Sequence, residues 1–228
     1  MRGRPAASGG NDANPARGCP GERRGHPGRG GAGYHDAALI PVAGPVKDLL
    51  RVCLDLNVWV ADFLGTRRGR RGGSSPWLAD AVRSGACPAG PLQLVVSLGM
   101  LDRLALVLVR EFQVEADAAE TLVRAIGSLA SLGPAGDHPH ALIGGGVYPL
   151  RDEEDRHVLE VAVAGEADLL VTANMADFEA DDIRKVGDGA RVRLYPRPGR
   201  AALVIAHPDQ ACDWLRAGVP TLASIERL

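Results

Sequence analysis

Several things are scarce in this sequence, and each scarcity excludes a class of protein. Aromatic residues make up 4% of the 228 positions, too few for a base-stacking surface of the kind that RNA-recognition sheets present. No apolar run approaches the roughly 20 residues needed to span a bilayer, so no membrane-spanning helix is expected. The four cysteines (Cys19, Cys53, Cys87, Cys212) include no C-x-x-C pair. Neither a disulfide framework nor a zinc ribbon is therefore indicated, and a reducing, cytoplasmic compartment is expected. Net charge is also slight, at -2, but that figure is a cancellation.

What is present divides at residue 46. Residues 1–46 carry eleven Gly, six Pro and six Arg against three acids, Asp12, Glu22 and Asp36, a net charge of +3; the remainder holds 20 basic and 25 acidic residues, a net charge of -5. The first segment has no helical or strand periodicity and cannot bury enough apolar surface to offset its ordering entropy, so a disordered tail is expected over 1–46. It lacks the apolar core of a secretory signal and the amphipathic pattern of a transit helix. An Arg/Gly-rich arm can contact RNA phosphates. The blander alternatives are a solvated extension or a start placed too far upstream, the chain then beginning at a position such as Val42 or Val46. One domain is expected over 47–216, followed by a short C-terminal extension over 217–228.

Within that domain, R-V-C-L-D (Arg51 to Asp55) is a short apolar run ending in a carboxylate, the pattern of a buried strand. Asn57 then reads as the cap of a helix over Val58 to Leu64. Ser74 and Ser75 before Pro76 open a second helix, with Gly85 as its stop. Leu92 to Ser97 reads as a strand, and helices are expected over about Leu98 to Phe112 and Ala116 to Leu132. After a Gly/Pro/His-rich loop, Asp152 to Glu166 reads as helix and Asp168 to Thr172 as strand, with later strands at Val192 to Tyr195 and Leu203 to Ala206. Strands alternating with helices point to an open, mainly parallel α/β sheet.

In such sheets the site lies beyond the carboxyl ends of the strands. Here one strand ends in Asp55, with Asn57 two positions on, and another in Thr172, followed by Asn174 and Asp177. Asp155 shares a helix face with Leu159 and Ala162, at the top of a buried stripe, although acids also favour a helix N-terminus as such. Carboxylates brought together there would repel unless protonated or joined by a cation, and oxygen-only ligands suit Mg²⁺ or Mn²⁺. His157, two residues after Asp155, reads as a surface or packing residue, and Trp59, Trp77 and Trp214 as core or interface.

The strings L-D-L-N-V-W-V, D-E-E-D-R-H-V-L-E-V-A and A-D-L-L-V-T-A-N-M-A-D-F resemble, in order and spacing, the PIN-domain family. The resemblance covers about Val46 to Trp214. It implies a three-layer α/β/α fold with a mainly parallel central sheet, and Mg²⁺- or Mn²⁺-dependent ribonuclease activity. Many bacterial members of the family act as VapC-type toxins, so it also implies a small antitoxin partner and a homodimer. Carried over by position, Asp55 and Asp155 would be catalytic, metal-binding carboxylates. Asn57 would orient Asp55 or a water, and Thr172, Asn174 and Asp177 would form the final turn, with Asp177 acting beside or in place of Asn174. The sequence departs from the family where a Glu is usual early on the helix after the second strand. That position aligns with Arg103, one residue beyond Asp102. Either Asp102 serves as the second acid, or Arg103 occupies the position and the nuclease is weakened or inactive.

An acidic site needs basic groups around it to hold RNA, and R-R-G-R-R (Arg67, Arg68, Arg70, Arg71) is the candidate phosphate-binding loop. Its blander reading is a solvated charged loop. Two competing functions follow. A phosphatase of the haloacid dehalogenase type also begins with a strand-end Asp, but it needs a second Asp where this chain has Asn57, and a mid-chain Lys where none lies between Lys47 and Lys185. The other is a non-catalytic module that keeps the fold and grips RNA or a protein partner.

Overall fold

The computed structural model describes residues 49–70, 72–135, 153–187, 189 and 191–227. The tail expected over 1–46 and Arg71 lie outside them, as do the side chains of residues 153–155.

The first strand, β1 (Leu50–Leu54), is buried almost throughout. That suits a strand covered on both faces and explains the apolar succession Val52, Cys53, Leu54. It leads into α1 (Leu56–Arg67) and α2 (Ser74–Ser84). Pro76 is tolerated in the first turn of α2, and Gly85 ends that helix in the left-handed conformation at φ 67°, where the missing Cβ removes the steric penalty. A two-residue strand β2 (Ala86–Cys87) turns into β3 (Gly90–Val95), followed by α3 (Leu98–Arg110) and α4 (Ala116–Ser131). Then come α5 (Glu153–Ala164), β4 (Leu169–Val171), β5 (Arg184–Val186), β6 (Val192–Arg197), β7 (Arg200–Ala206), α6 (Pro208–Ala217) and α7 (Leu222–Ile225).

The seven strands form one sheet in the order β2-β3-β1-β4-β7-β6-β5. Its centre is parallel, with β1 between β3 and β4, and β7 beyond β4. The antiparallel strands β2, β6 and β5 extend the two sides.

Register and the period-two alternation of strands put Leu50, Val52 and Leu54 on one face with Leu92 and Leu94, and Cys53 on the other with Val95. Leu50, on the first face, lines a cavity together with Trp214 and Ile225 of the C-terminal helices, both of them buried. The second face meets α4 and α5: Gln93 donates to the Ala130 carbonyl at 2.8 Å, and a Cβ on Gly165 would lie 2.2 Å from Val95 Cγ1. Helices thus cover both faces, giving the expected three layers. Among the described residues no helix is long and apolar enough to cross a membrane.

Two local readings are corrected. Asn57 is not the cap of the first helix. Asp55 takes that place, its side chain accepting from Leu56 N, and the helix runs three residues beyond Leu64. The short strands β2 and β5 and the helix α7 were not expected, and α6, which carries Trp214, had been given no bounds. Residues 217–228 include α7, which buries Ile225.

Candidate active site

The parallel strands end together on one edge, and the polar side chains there are tied across strands. Asp55 follows the last residue of β1, and its amide still donates to the Val171 carbonyl of β4 at 2.9 Å. The ladder therefore holds the backbone of Asp55 against the end of β4. Thr172 follows β4 in the same way, its amide donating to Ala206 of β7 at 3.1 Å. Asp55 is 6% exposed and Thr172 fully buried.

Each oxygen of Asp55 has an assigned partner. Oδ1 accepts from Leu56 N at 2.6 Å. Oδ2 accepts from the Asn57 amide at 2.6 Å and from the Thr172 hydroxyl at 2.7 Å. That hydroxyl in turn accepts from Asn57 Nδ2 and from Asn174 N, both at 3.0 Å, while Asn57 Oδ1 accepts from Ala173 N at 3.0 Å. Asn57 thus spans β1 and β4, and Thr172 is fully used, donating once and accepting twice. The turn after Thr172 is anchored by Met175 and Phe178 in the core, which leaves Asn174 exposed and Asp177 half-buried.

The electrostatics oppose the charge of Asp55. Burial pushes its pKa above the ordinary carboxylate value; the hydrogen bonds from Thr172, Leu56 and Asn57 pull it back, and the nearby charge of Asp177 pushes it up again. All three of these donors are neutral. A buried carboxylate in that state is stabilised by a proton or by a cation, and Asp177 adds a second oxygen donor of the same sign.

A family model described as PIN domain matches residues 51–176, more than half of the chain. The chain belongs to the PIN-domain family. No curated protein and no solved structure matches it. PIN domains are typically nucleases and generally use divalent metals.

The donor set of this PIN domain fits such an ion in kind. Asp55, Asp177 and the Asn174 amide offer oxygen ligands, and the unfavourable ionisation of Asp55 is what a cation relieves. Among the described residues no three His, Cys, Asp or Glu side chains gather as a ligand cluster; the Asp155 side chain is not among those described. The backbone of Asp155 is the third residue of α5, a helix that packs against β1 and β4.

Asp102 and Arg103 both lie on the exposed side of α3, flanked by buried Leu101 and Leu104. Asp102 makes no described hydrogen bond to Asp55, Asn57 or Thr172. Arg67, Arg68 and Arg70 are exposed. The twelve residues of α1, at about 1.5 Å each, carry them roughly 18 Å along the helix from Asp55. There, Arg67 and Arg68 border a groove with Glu111, Phe112 and Gln113 after α3.

His157 is half-buried, and its Nε2 lies 3.0 Å from the Ser97 hydroxyl. Sequence reasoning gave Ser97 no role, since a serine ending a strand carries no signal of a contact 60 positions away. Trp59 and Trp214 are core residues, while Trp77 is half-buried beneath the Arg216 guanidinium, 4.6 Å from its ring centre.

Proposed function

We propose that this PIN domain is a Mg²⁺- or Mn²⁺-dependent endoribonuclease acting at the carboxyl edge around Asp55. The observation that carries this reading is the buried Asp55 carboxylate, fixed by neutral donors and opposed in its charge by burial and by Asp177. Asp55, Asp155, Asn174 and Asp177 are the residues that would hold the cation, with Asp102 as a further acid. When bound, the cation supplies Lewis acidity to the scissile phosphate and lowers the pKa of a water, so that no side-chain nucleophile is needed. Asn57 and Thr172 hold the Asp55 oxygens in place. Arg67, Arg68, Arg70 and Arg71, some way along α1 from Asp55, would neutralise phosphates of the strand away from the cut. A toxin role, a small antitoxin partner, a homodimer and a cytoplasmic location are carried over from the family and from cysteine usage.

A second reading, a catalytically weakened module that binds RNA or a protein, is favoured by Arg103 standing where the family usually has a Glu. Purified protein incubated with single-stranded RNA and Mn²⁺, with and without chelator, separates the two. The nuclease reading expects internal cleavage that chelator stops and that Asp55→Asn and Asp155→Asn lack. Unchanged cleavage in those variants would sink it, and binding without cleavage by the wild type would favour the module.

A further inference from the structure

We infer that His157 is a positioning residue for the metal-holding acids, acting through a contact that locks the first turn of α3 to the first turns of α5. The inference rests on the reading that acids at the carboxyl edge hold a divalent cation.

Ser97 is fully buried just beyond β3 and caps α3, its hydroxyl oxygen accepting from Met100 N at 3.1 Å. The same oxygen lies 3.0 Å from His157 Nε2. The cap occupies one lone pair, so the hydroxyl either donates to an unprotonated Nε2 or accepts from a protonated one through the other lone pair. The tie therefore survives either ring tautomer. Gly99 makes room for it, because a Cβ there would stand 2.7 Å from Nε2 and 3.3 Å from Cε1 of the ring. The imidazole lies against the bare backbone of the first turn of α3.

The placement gives this contact its meaning. β3 and β4 flank β1, so Asp55 sits between the strand that leads into α3 and the strand that follows α5. Asp155 precedes His157 by two residues on α5, and Asp102 and Arg103 follow Ser97 on α3. The far end of α5 is fixed where Gly165 packs on Val95. The first turns of a helix fray unless tied, and His157 supplies that tie beside Asp155. An acid at a helix start is placed only as well as the start itself, and groups that orient metal ligands typically matter about 10–100-fold in metal affinity or activity.

The test uses full-length His157→Ala, His157→Gln, Gly99→Ala and the Gly99→Ala/His157→Ala double variant. It reads the Mn²⁺ dissociation constant by calorimetry, kcat and KM on RNA, and the Tm of metal-free protein. His157→Ala should weaken Mn²⁺ binding about tenfold and lower kcat by a similar factor with KM little changed. His157→Gln, whose amide reaches the Nε2 position, should restore most of both. Gly99→Ala should match His157→Ala, and the double variant should be no worse than either single, because removing the ring removes the clash. Wild-type Mn²⁺ affinity in His157→Ala, or additive losses in the double variant, would overturn the inference while leaving the nuclease reading intact. Should wild type bind Mn²⁺ in a His157-dependent way yet cleave no RNA, the nuclease reading fails and the inference stands. Absence of Mn²⁺ binding by wild type overturns both. If His157→Ala loses its far-UV circular dichroism, the comparison of His157→Gln with Gly99→Ala decides the matter.

Discussion

At the amino end of the parallel strands Glu166 lies between two arginines, Arg200 at 2.5 Å and Arg51 at 2.9 Å, and Asp168 accepts the Arg51 amide at 3.0 Å. The hydrogen bond from Arg200 leads in holding the Glu166 carboxyl below its ordinary pKa, with Arg51 adding to it. Glu166 is also in the left-handed region at φ 55°, a conformation unusual for a non-glycine residue. At the carboxyl end, Asp55 has neutral partners, a carboxylate neighbour in Asp177, and a raised pKa. Among the described residues the acid at one end of the sheet is thus paired with cations, while the described partners of the acid at the other end are neutral. The carboxyl end is where open α/β sheets place their ligands. The acids at the amino end have been given cations by the protein; on the function proposed above, Asp55 takes one from solution.

The comparison breaks most visibly if Asp55 is dispensable. Asp55→Asn should lower kcat on RNA by at least about a thousandfold, or ~4 kcal/mol of transition-state stabilisation, as measured under single-turnover conditions. Next in size, Asn57→Ala removes the bridge between Asp55 Oδ2 and Ala173 N. It should weaken Mn²⁺ affinity by about 10–100-fold while leaving the far-UV spectrum unchanged, and equal affinity would show that the bridge is not used.

A smaller effect is expected in the pH dependence of metal-free stability. A carboxyl whose pKa is raised on folding contributes stability that is fully present below its unfolded pKa and lost as pH rises through the folded value. Urea denaturation of metal-free protein between mildly acidic and neutral pH should therefore show wild type losing stability relative to Asp55→Asn as pH rises. Glu166 works in the opposite sense, its contribution present above its unfolded pKa and lost as pH falls. Parallel pH curves for wild type and Asp55→Asn would remove the electrostatic half of the account. The smallest effect should come from Glu166→Gln at the amino end, where the ion pairs are solvent-exposed. A stability cost under about 1 kcal/mol and unchanged RNA cleavage are expected.

Much of this was legible in the sequence, and the rest was hidden for identifiable reasons. The run R-V-C-L-D placed β1 because a central parallel strand is buried on both faces, and the same run placed Asp55 at its end. Asn57 was misread as a helix cap because Asp and Asn both cap helices. Only the end of β4, 115 positions away, reveals that Asn57 spends its amide on Asp55 and Thr172. The two residues of β2 and the three of β5 are too short to show a period, and R-K-V in β5 is mostly exposed. Helix α6 opens with H-P-D-Q, with Pro208 in its first turn and His207 capping it through Asp209 N. Asp177 was legible as an acid in the right turn, but its influence on Asp55 depends on Met175 and Phe178 pinning that turn to the core.

The central claim, that the carboxyl end is built around an acid awaiting a divalent cation, is tested most directly by titrating Mn²⁺ into metal-free wild type and Asp55→Asn in a calorimeter at neutral pH. Saturable binding by wild type, with proton release that diminishes as pH rises and with binding lost in Asp55→Asn, is the predicted result. Equal binding by the two proteins, or none by wild type, would contradict it.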